Sequence, residues 1–362
     1  MEPHIIELPR RVVFGRNVMC QIGQICSDMG ISGRPLILMG KGMEQTAHVA
    51  INSFGMGFSR PFSETVQEAT TEEFQRVKQK IGPCHFCAVV SIGGGTVIDI
   101  GKLMAIEKRI PFISVPTAPS HDGIASDRVS IKGYTDMKHS VKGAAPMAIL
   151  ADVSILSKAP YRMIASGCAD AISNFTAVWD WKLSHKKNNE YYSEYAASLA
   201  EMSAEIVLES AEMIKAKNER GIRNLVEALV SSGISMALVS SSRPASGAEH
   251  MFSHALEAMG CTAMHGEQCG VGSIITAYMQ GQKYASIKTH KLWKEPLWKV
   301  IKDTLQTLGA PTTAKELGVD DRVAVNALVA AKAIRKRYTV LDLNKINYDK
   351  AEKVCKKVGV IR

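Results

Sequence analysis

The sequence lacks any apolar run of the roughly 18 residues that a membrane-spanning helix needs. The first residues, MEPHIIELPRR, lack the long apolar core of a signal peptide. Aromatic residues make up 6% of the 362 residues, and no aromatic-rich basic patch or helix-turn-helix pattern indicates nucleic-acid binding. We therefore expect a cytoplasmic protein that neither inserts into membranes nor binds nucleic acid.

A second pair of closely spaced cysteines, which a zinc ribbon requires, is also missing. Cys84 and Cys87 form an isolated C-x-x-C, and most of the eight cysteines lie in apolar periodic segments, where a thiol packs as a small hydrophobic group. The formal net charge is +9. Such a charge suits an anionic substrate or cofactor, although a solvated basic surface is an equally compatible interpretation.

Three of the ten histidines lie close together in the sequence. His250 and His254 are four residues apart and share one face of a predicted helix. His265 follows a short break at Gly260–Thr262 and begins a second apolar helix. Imidazoles brought together from two helices predict a divalent metal site, because a catalytic zinc takes three protein ligands and keeps one position open. The alternative is that one histidine caps a helix and the others face solvent.

Two further sequence patterns concern the start of a helix and a possible third ligand of the predicted metal site. Ser246 and Glu249 have the spacing of a capping box, which predicts that a helix begins at Ser246. Asp170 is an acidic residue in the otherwise apolar segment SGCAD. Its carboxylate either complements the dipole at a helix N-terminus or supplies the oxygen ligand that completes a set with two of the histidines.

The apolar pattern divides the chain into two parts. Continuous apolar runs at Pro35–Met39, Phe86–Ile92 and Phe112–Val115 predict buried strands, and helical segments alternate with them. This alternation predicts a Rossmann-like α/β domain with a parallel sheet over residues 1–158. Residues 159–362 show helical periodicity almost throughout and predict an all-α domain.

Glycine-rich and polar loops follow two of the predicted strands. Gly93–Gly95 lies between a buried strand and a helix, where backbone N–H groups and the helix dipole can hold a pyrophosphate. The polar loop Pro116–Gly123 follows the next strand at the same edge of the sheet. The run of three glycines is not a G-x-G-x-x-G fingerprint and on its own can be a tight turn, but the two loops together predict a dinucleotide site.

These motifs resemble those of the iron- or zinc-dependent polyol dehydrogenases, which include glycerol dehydrogenase and share their fold with dehydroquinate synthase. Within that superfamily the chain is most similar to the archaeal-type glycerol-1-phosphate dehydrogenases. The resemblance covers essentially the whole chain, and its carriers are SIGGGTVID (Ser91–Asp99), PTAPSHDGIAS (Pro116–Ser126), SGCAD (Ser166–Asp170), SRPASGAEHMFSHALE (Ser242–Glu257), HGEQ (His265–Gln268) and RYTVL (Arg337–Leu341).

The resemblance implies a role for individual residues. It implies zinc ligands at Asp170, His250 and His265. It implies catalytic roles for Asp122 and His254, and substrate contacts at Asp122, Asp170 and His254. It implies NADPH or NADH contacts at Gly95, Thr96, Val97, Ile98, Asp99, Thr117, Ala118, Pro119, Ser120 and Ser126. Homologous folds commonly oligomerise, so we also expect a homo-oligomer.

The activity that the resemblance implies is the NAD(P)H-dependent reduction of dihydroxyacetone phosphate to sn-glycerol 1-phosphate, the first step of archaeal ether-lipid backbone synthesis. Two alternatives are a polyol dehydrogenase acting on an unphosphorylated substrate and a 3-dehydroquinate synthase-like lyase. The predicted strand that ends at Met39–Lys41 lacks the acidic residue that would bind a ribose 2′-hydroxyl. This favours NADPH, with Lys41 near its 2′-phosphate.

Overall fold

A computed structural model describes residues 6–133, 139–283 and 295–362. The chain divides into two compact units, Met1–Pro160 and Tyr161–Arg362. Within the described residues every strand lies in the first unit, and the second unit is built from helices. The predicted fold class, an α/β domain followed by an all-α domain, is confirmed.

The first unit contains eight strands and five α-helices among its described residues. The strands are β1 (Arg11–Gly15), β2 (Leu36–Gly40), β3 (Phe62–Val66), β4 (Val89–Gly93), β5 (Phe112–Pro116), β6 (Arg128–Ile131), β7 (His139–Lys142) and β8 (Ala148–Asp152). The helices are α1 (Ile22–Asp28), α2 (Glu44–Asn52), α3 (Thr71–Ile81), α4 (Gly95–Lys108) and α5 (Val153–Leu156).

Six of these strands form one parallel sheet in the order β1-β8-β5-β4-β2-β3, and β6 pairs with β7 in an antiparallel ribbon. All five residues of β4 and of β5 are buried, as expected for central strands covered on both faces. The chain order reverses between β2 and β4, because β3 lies beyond β2 and β5 lies beyond β4. In open α/β sheets, ligands bind outside the carboxyl ends of the strands at such a point.

The second unit consists of helices packed around buried apolar side chains such as Trp181 and Phe252. These helices are α6 (Tyr161–Ile172), α7 (Asn174–Asn188), α8 (Glu194–Lys215), α9 (Glu219–Leu238), α10 (Ala248–Ala258), α11 (His265–Lys283), α12 (Leu297–Thr307), α13 (Asp321–Ile334), α14 (Val340–Asn344) and α15 (Tyr348–Val358). Among the described residues, no helix combines the length and the apolar character needed to cross a bilayer.

Candidate active site

The glycine-rich loop lies at the point where the strand order reverses. A Cβ atom added at Gly93 would lie 2.6 Å from Val97 Cγ2 and 3.4 Å from the backbone nitrogen of Gly40. A Cβ atom at Gly95 would lie 1.9 Å from Nε2 of His121. Only glycine therefore allows the loops after β2, β4 and β5 to approach this closely, as a pyrophosphate-binding turn requires.

The residues predicted to contact the cofactor lie on this loop, on the start of α4 and on the segment after β5. Thr117 N–H donates to Gly93 O over 3.0 Å, which joins the two loops. Val97 and Ile98 have buried side chains, and both of their N–H groups donate to Gly94 O. These two residues therefore shape the start of α4.

Two charged side chains of α4 hold the segment that follows β5. Asp99, 5% exposed, accepts a hydrogen bond from Ser130 N–H over 3.0 Å. Lys102 is fully buried, and its Nζ donates to Gly123 O (2.6 Å) and Arg128 O (2.7 Å). Burial lowers the pKa of Lys102, while Asp99 opposes this effect. Lys102 was not singled out from the sequence as a site residue, yet it ties the loop that carries Asp122 to α4.

The second unit contains a cluster of four donors that can hold a metal ion, Asp170, His250, His265 and Cys269. One ligand atom from each of these side chains lies within 4.8 Å of the others. Asp170 comes from α6, His250 from α10, and the remaining two from successive turns at the start of α11. All three predicted metal ligands are therefore brought together, and Cys269 joins them.

The spacing of the donors suits a tetrahedral zinc ion. Typical bonds of about 2.3 Å to sulfur and about 2.0 Å to nitrogen place these two ligand atoms about 3.5 Å apart. Cys269 Sγ lies 3.6 Å from His265 Nε2. Asp170 Oδ1 lies 3.7 Å from His250 Nε2 and 3.9 Å from His265 Nε2. Nitrogen and oxygen ligands of zinc lie about 3.4 Å apart, so a shift of a few tenths of an ångström brings the carboxylate into place.

The ring of His250 is oriented by the residue before it. Glu249 is completely buried, and its Oε1 lies 3.0 Å from Nδ1 of His250. Thr176 Oγ1 donates to the other carboxylate oxygen over 2.8 Å. Nδ1 of His250 therefore carries the proton and Nε2 presents its lone pair towards Asp170, an arrangement typical of metal-ligating histidines.

The ring of His265 is oriented by a chain of hydrogen bonds. Its Nδ1 lies 3.2 Å from Ser253 Oγ, which donates to Gln268 Oε1 over 3.3 Å. Gln268 Nε2 donates in turn to Ala263 O. Because the single hydroxyl proton of Ser253 is used on Gln268, Nδ1 of His265 is the donor. Nε2 of His265 is thus left with a lone pair, facing Asp170 and Cys269.

His254 lies beside the cluster with a different set of contacts. Its ring centroid lies 5.7 Å from that of His265. Its Nδ1 is 3.3 Å from Glu257 Oε2, and its Nε2 is 3.1 Å from Nη2 of Arg335. A guanidinium group only donates hydrogen bonds, so Nε2 of His254 is the acceptor and Nδ1 carries the proton.

Burial and charge shift the pKa values of these groups. Burial lowers the pKa of His254, and the positive charge of Arg335 acts in the same direction. Burial also acts to lower the pKa of His250, but Cys269 and Glu249 outweigh it and the net shift is well upwards. Burial raises the pKa of Cys269 to about 11. The carboxylate of Glu249 therefore favours positive charge on His250, whereas Cys269 is held as a neutral thiol.

The structure corrects two interpretations of local sequence signals. Helix α10 begins at Ala248, and its N-cap is Gly247 without a side-chain cap, so the predicted capping box of Ser246 and Glu249 is wrong. Glu249 instead accepts from Gly247 N–H and orients His250. The alternative role of Asp170, a charge at a helix N-terminus, is also wrong, because this residue lies in the last turn of α6.

Sequence reasoning missed several residues around the cluster. Cys269 is four residues after His265. The i, i+4 spacing that places His250 and His254 on one helix face would also have indicated that Cys269 lies beside His265. Glu267 forms a two-bond ion pair with Arg162, which is 105 residues away, over 2.6 and 2.7 Å. Arg335 is 81 residues from its partner His254. No local pattern reveals these long-range contacts.

Comparisons with known proteins first identify similar folds. Residues 13–160 match the model of the iron-containing alcohol dehydrogenase family. The fold is similar to that of a glycerol dehydrogenase from Schizosaccharomyces pombe, with a TM-score of 0.77 and 18% identity over 99% of this chain and 91% of that one. It is also similar to a maleylacetate reductase from Rhizobium sp. strain MTP-10005, with a TM-score of 0.79, 17% identity and complete coverage of both chains.

Relatives with higher sequence identity then identify the family. A glycerol-1-phosphate dehydrogenase [NAD(P)+] from Pyrococcus horikoshii is 43% identical over 99% of this chain and 100% of its own length. One from Methanosarcina acetivorans is also 43% identical, over 98% of this chain and 96% of its own length. The chain belongs to the glycerol-1-phosphate dehydrogenase family, and the resemblance seen in the sequence motifs is confirmed.

Proposed function

We propose that this protein reduces dihydroxyacetone phosphate to sn-glycerol 1-phosphate with NADPH or NADH, using a zinc ion held by Asp170, His250 and His265. The observation that carries the proposal is the convergence of these three side chains, with both imidazoles oriented by second partners, in a chain of this family. The product would supply the glycerol backbone of ether lipids. We further propose that the enzyme is a cytoplasmic homo-oligomer.

Each unit has its own part in the reaction. Residues 1–158 bind the dinucleotide, with the loops that follow β4 and β5 holding its phosphates and Asp122 contacting the substrate. Residues 159–362 bind the metal and the ketone. A zinc ion supplies a Lewis acid that polarises the carbonyl group, and the reduced nicotinamide supplies the hydride.

The residues of the cluster prepare the site for this chemistry. Glu249 and Ser253 keep the lone pairs of His250 and His265 directed towards the centre. His254 contacts the substrate next to them. The proton for the product arrives from water or from His254. In the arrangement described above Nε2 of His254 accepts from Arg335 and carries no proton, so it can donate only after Arg335 releases it and it has taken up a proton from water.

The proposal is tested by following nicotinamide oxidation with dihydroxyacetone phosphate and with dihydroxyacetone. We expect a strong preference for the phosphorylated ketone. A preference for the free ketone would assign a polyol dehydrogenase instead. The absence of net oxidation with either ketone would favour the 3-dehydroquinate synthase-like lyase, which uses its hydride only transiently.

A further inference from the structure

An ion pair connects the start of α11 to the start of α6. Arg162, in the first turn of α6, donates from Nε to Oε1 of Glu267 over 2.6 Å and from Nη2 to Oε2 over 2.7 Å. The side chain of Arg162 is 63% exposed, whereas that of Glu267 is 3% exposed. Because α6 carries Asp170 and α11 carries His265, the pair joins two helices that each supply a proposed metal ligand.

The same carboxylate fixes the point where α11 begins. Glu267 is the third residue of the helix, and its Oε2 accepts from Met264 N–H, just before the helix, over 2.8 Å. A glutamate at the third position that reaches back in this way makes one of the two hydrogen bonds of a capping box. The first residue of α11 is His265. Glu267 therefore holds the backbone that carries this proposed ligand.

The two helices are in close contact between the ion pair and the metal-binding cluster. A Cβ atom added at Gly266 would lie 2.0 Å from the backbone oxygen of Ser166, which stands between Arg162 and Asp170 along α6. This contact limits how near the helices can come, whereas a two-bond, charge-assisted pair resists their separation. Their separation matters because Asp170 Oδ1 and His265 Nε2 lie 3.9 Å apart, and zinc brings such atoms to about 3.4 Å.

We propose that Arg162 and Glu267 are positioning residues that keep α6 and α11 at the separation that zinc binding requires. This inference rests on the proposed function, because it assumes that Asp170, His250 and His265 hold the zinc ion. Ligands that are already held together lose less conformational freedom when they bind, and their affinity is correspondingly higher. Breaking the ion pair should therefore weaken zinc binding although every donor atom remains in the protein.

The test measures zinc affinity, by competition with a chromophoric chelator, in Arg162→Gln, in Glu267→Gln and in the double variant. Glutamine at position 267 keeps an oxygen that can accept from Met264 N–H, so the start of α11 can be preserved. We expect each single variant to bind zinc about 3- to 10-fold less tightly than wild type, as for a coupled ion pair. The double variant should bind no more weakly than the weaker single variant. Arg162→Lys should recover part of the loss, because lysine keeps the charge without the two-bond geometry.

Arg223→Gln is the matched control. Arg223 pairs with Glu227 over 2.7 Å, its side chain is 57% exposed, and both residues lie on α9, which carries none of the four donors of the cluster. The control therefore removes the same charge from a similarly exposed ion pair. A merely structural role of Arg162 would lower the free energy of unfolding without changing the d–d absorption of the cobalt-substituted protein, which reports ligand geometry. We expect this absorption to change in both single variants and to stay as in wild type in Arg223→Gln.

The outcomes separate this inference from the proposed function. Zinc affinities of Arg162→Gln and Glu267→Gln equal to that of Arg223→Gln would overturn the positioning role. Losses in the double variant that equal the sum of the two single losses would show that the residues do not act as a pair, which also overturns it. If the wild-type protein itself binds no zinc, the proposed metal site is wrong, and the inference is wrong with it.

Discussion

Glu249 offers a direct test of how buried side chains around the proposed metal site control its affinity for zinc. In Glu249→Gln the side chain keeps its size but loses its charge. The amide oxygen can take the place of Oε1, which accepts from Gly247 N–H and lies 3.0 Å from His250 Nδ1. The amide nitrogen then faces Thr176 Oγ1, which can accept because its own proton can go to Ser173 O, 2.9 Å away. Every hydrogen bond can therefore be kept.

The expected effect is thus electrostatic rather than steric. A carboxylate behind a ligating imidazole makes that ring a better electron donor, and its loss typically lowers metal affinity about 10- to 100-fold. This corresponds to about 1.4 to 2.7 kcal/mol of binding free energy. The carboxylate of Glu249 is completely buried, so solvent does not weaken its effect.

The affinity can be measured by competition for zinc with a chromophoric chelator. Glu257→Gln is the matched control, since Glu257 lies on the same helix and contacts Nδ1 of His254, which is not a proposed ligand. We expect weaker zinc binding in Glu249→Gln and wild-type binding in Glu257→Gln. Equal affinities in the two variants would refute the role of Glu249, and a loss in Glu257→Gln alone would make His254 a ligand.

Three further predictions concern the cofactor, the fourth donor of the cluster and a buried carboxyl group. Lys41 is exposed directly after β2 and should bind the 2′-phosphate of NADPH, so Lys41→Glu should shift cofactor preference from NADPH towards NADH. This would be contradicted if the wild-type enzyme used NADH as well as or better than NADPH and Lys41→Glu left that preference unchanged. Because the ketone needs an open coordination position, the cobalt-substituted enzyme should lack an intense thiolate-to-metal charge-transfer band, whereas its presence would make Cys269 a ligand. Burial, with a contribution from Glu249, raises the pKa of Asp180 from 3.8 to about 7. The contribution of Asp180 to the free energy of unfolding is therefore complete below about pH 4 and is lost as pH rises through 7. The loss amounts to at most about 4 kcal/mol. In urea unfolding, the free energy of unfolding of Asp180→Asn should fall less over this pH range than that of the wild type. An identical pH dependence of the two proteins would contradict the raised pKa of Asp180.

The sequence predicts the parts of the fold that local patterns control. Continuous apolar runs mark β2, β4 and β5 because strands covered on both faces have few polar positions. The i, i+4 spacing of His250 and His254 correctly predicts a shared helix, and His265 begins α11 as expected. These features depend on neighbours within one or two turns of the chain.

Features that depend on distant partners could not be predicted in this way. Asp180 accepts from Val340 N–H over 2.9 Å, although the two residues are 160 positions apart. The spacing of Ser246 and Glu249 suggested a cap, but the contacts with Thr176 and His250 direct the Glu249 carboxylate elsewhere. Tertiary contacts therefore decide which of several locally reasonable roles a polar side chain takes.

The central claim is that a metal ion held by Asp170, His250 and His265 is needed to reduce dihydroxyacetone phosphate. The most direct measurement is the rate of this reduction as zinc is returned to chelated wild-type protein and to chelated His265→Ala. We expect activity to be lost on chelation, to return with zinc in the wild type and not to return in His265→Ala. Full activity of the metal-free protein, or of His265→Ala, would contradict it.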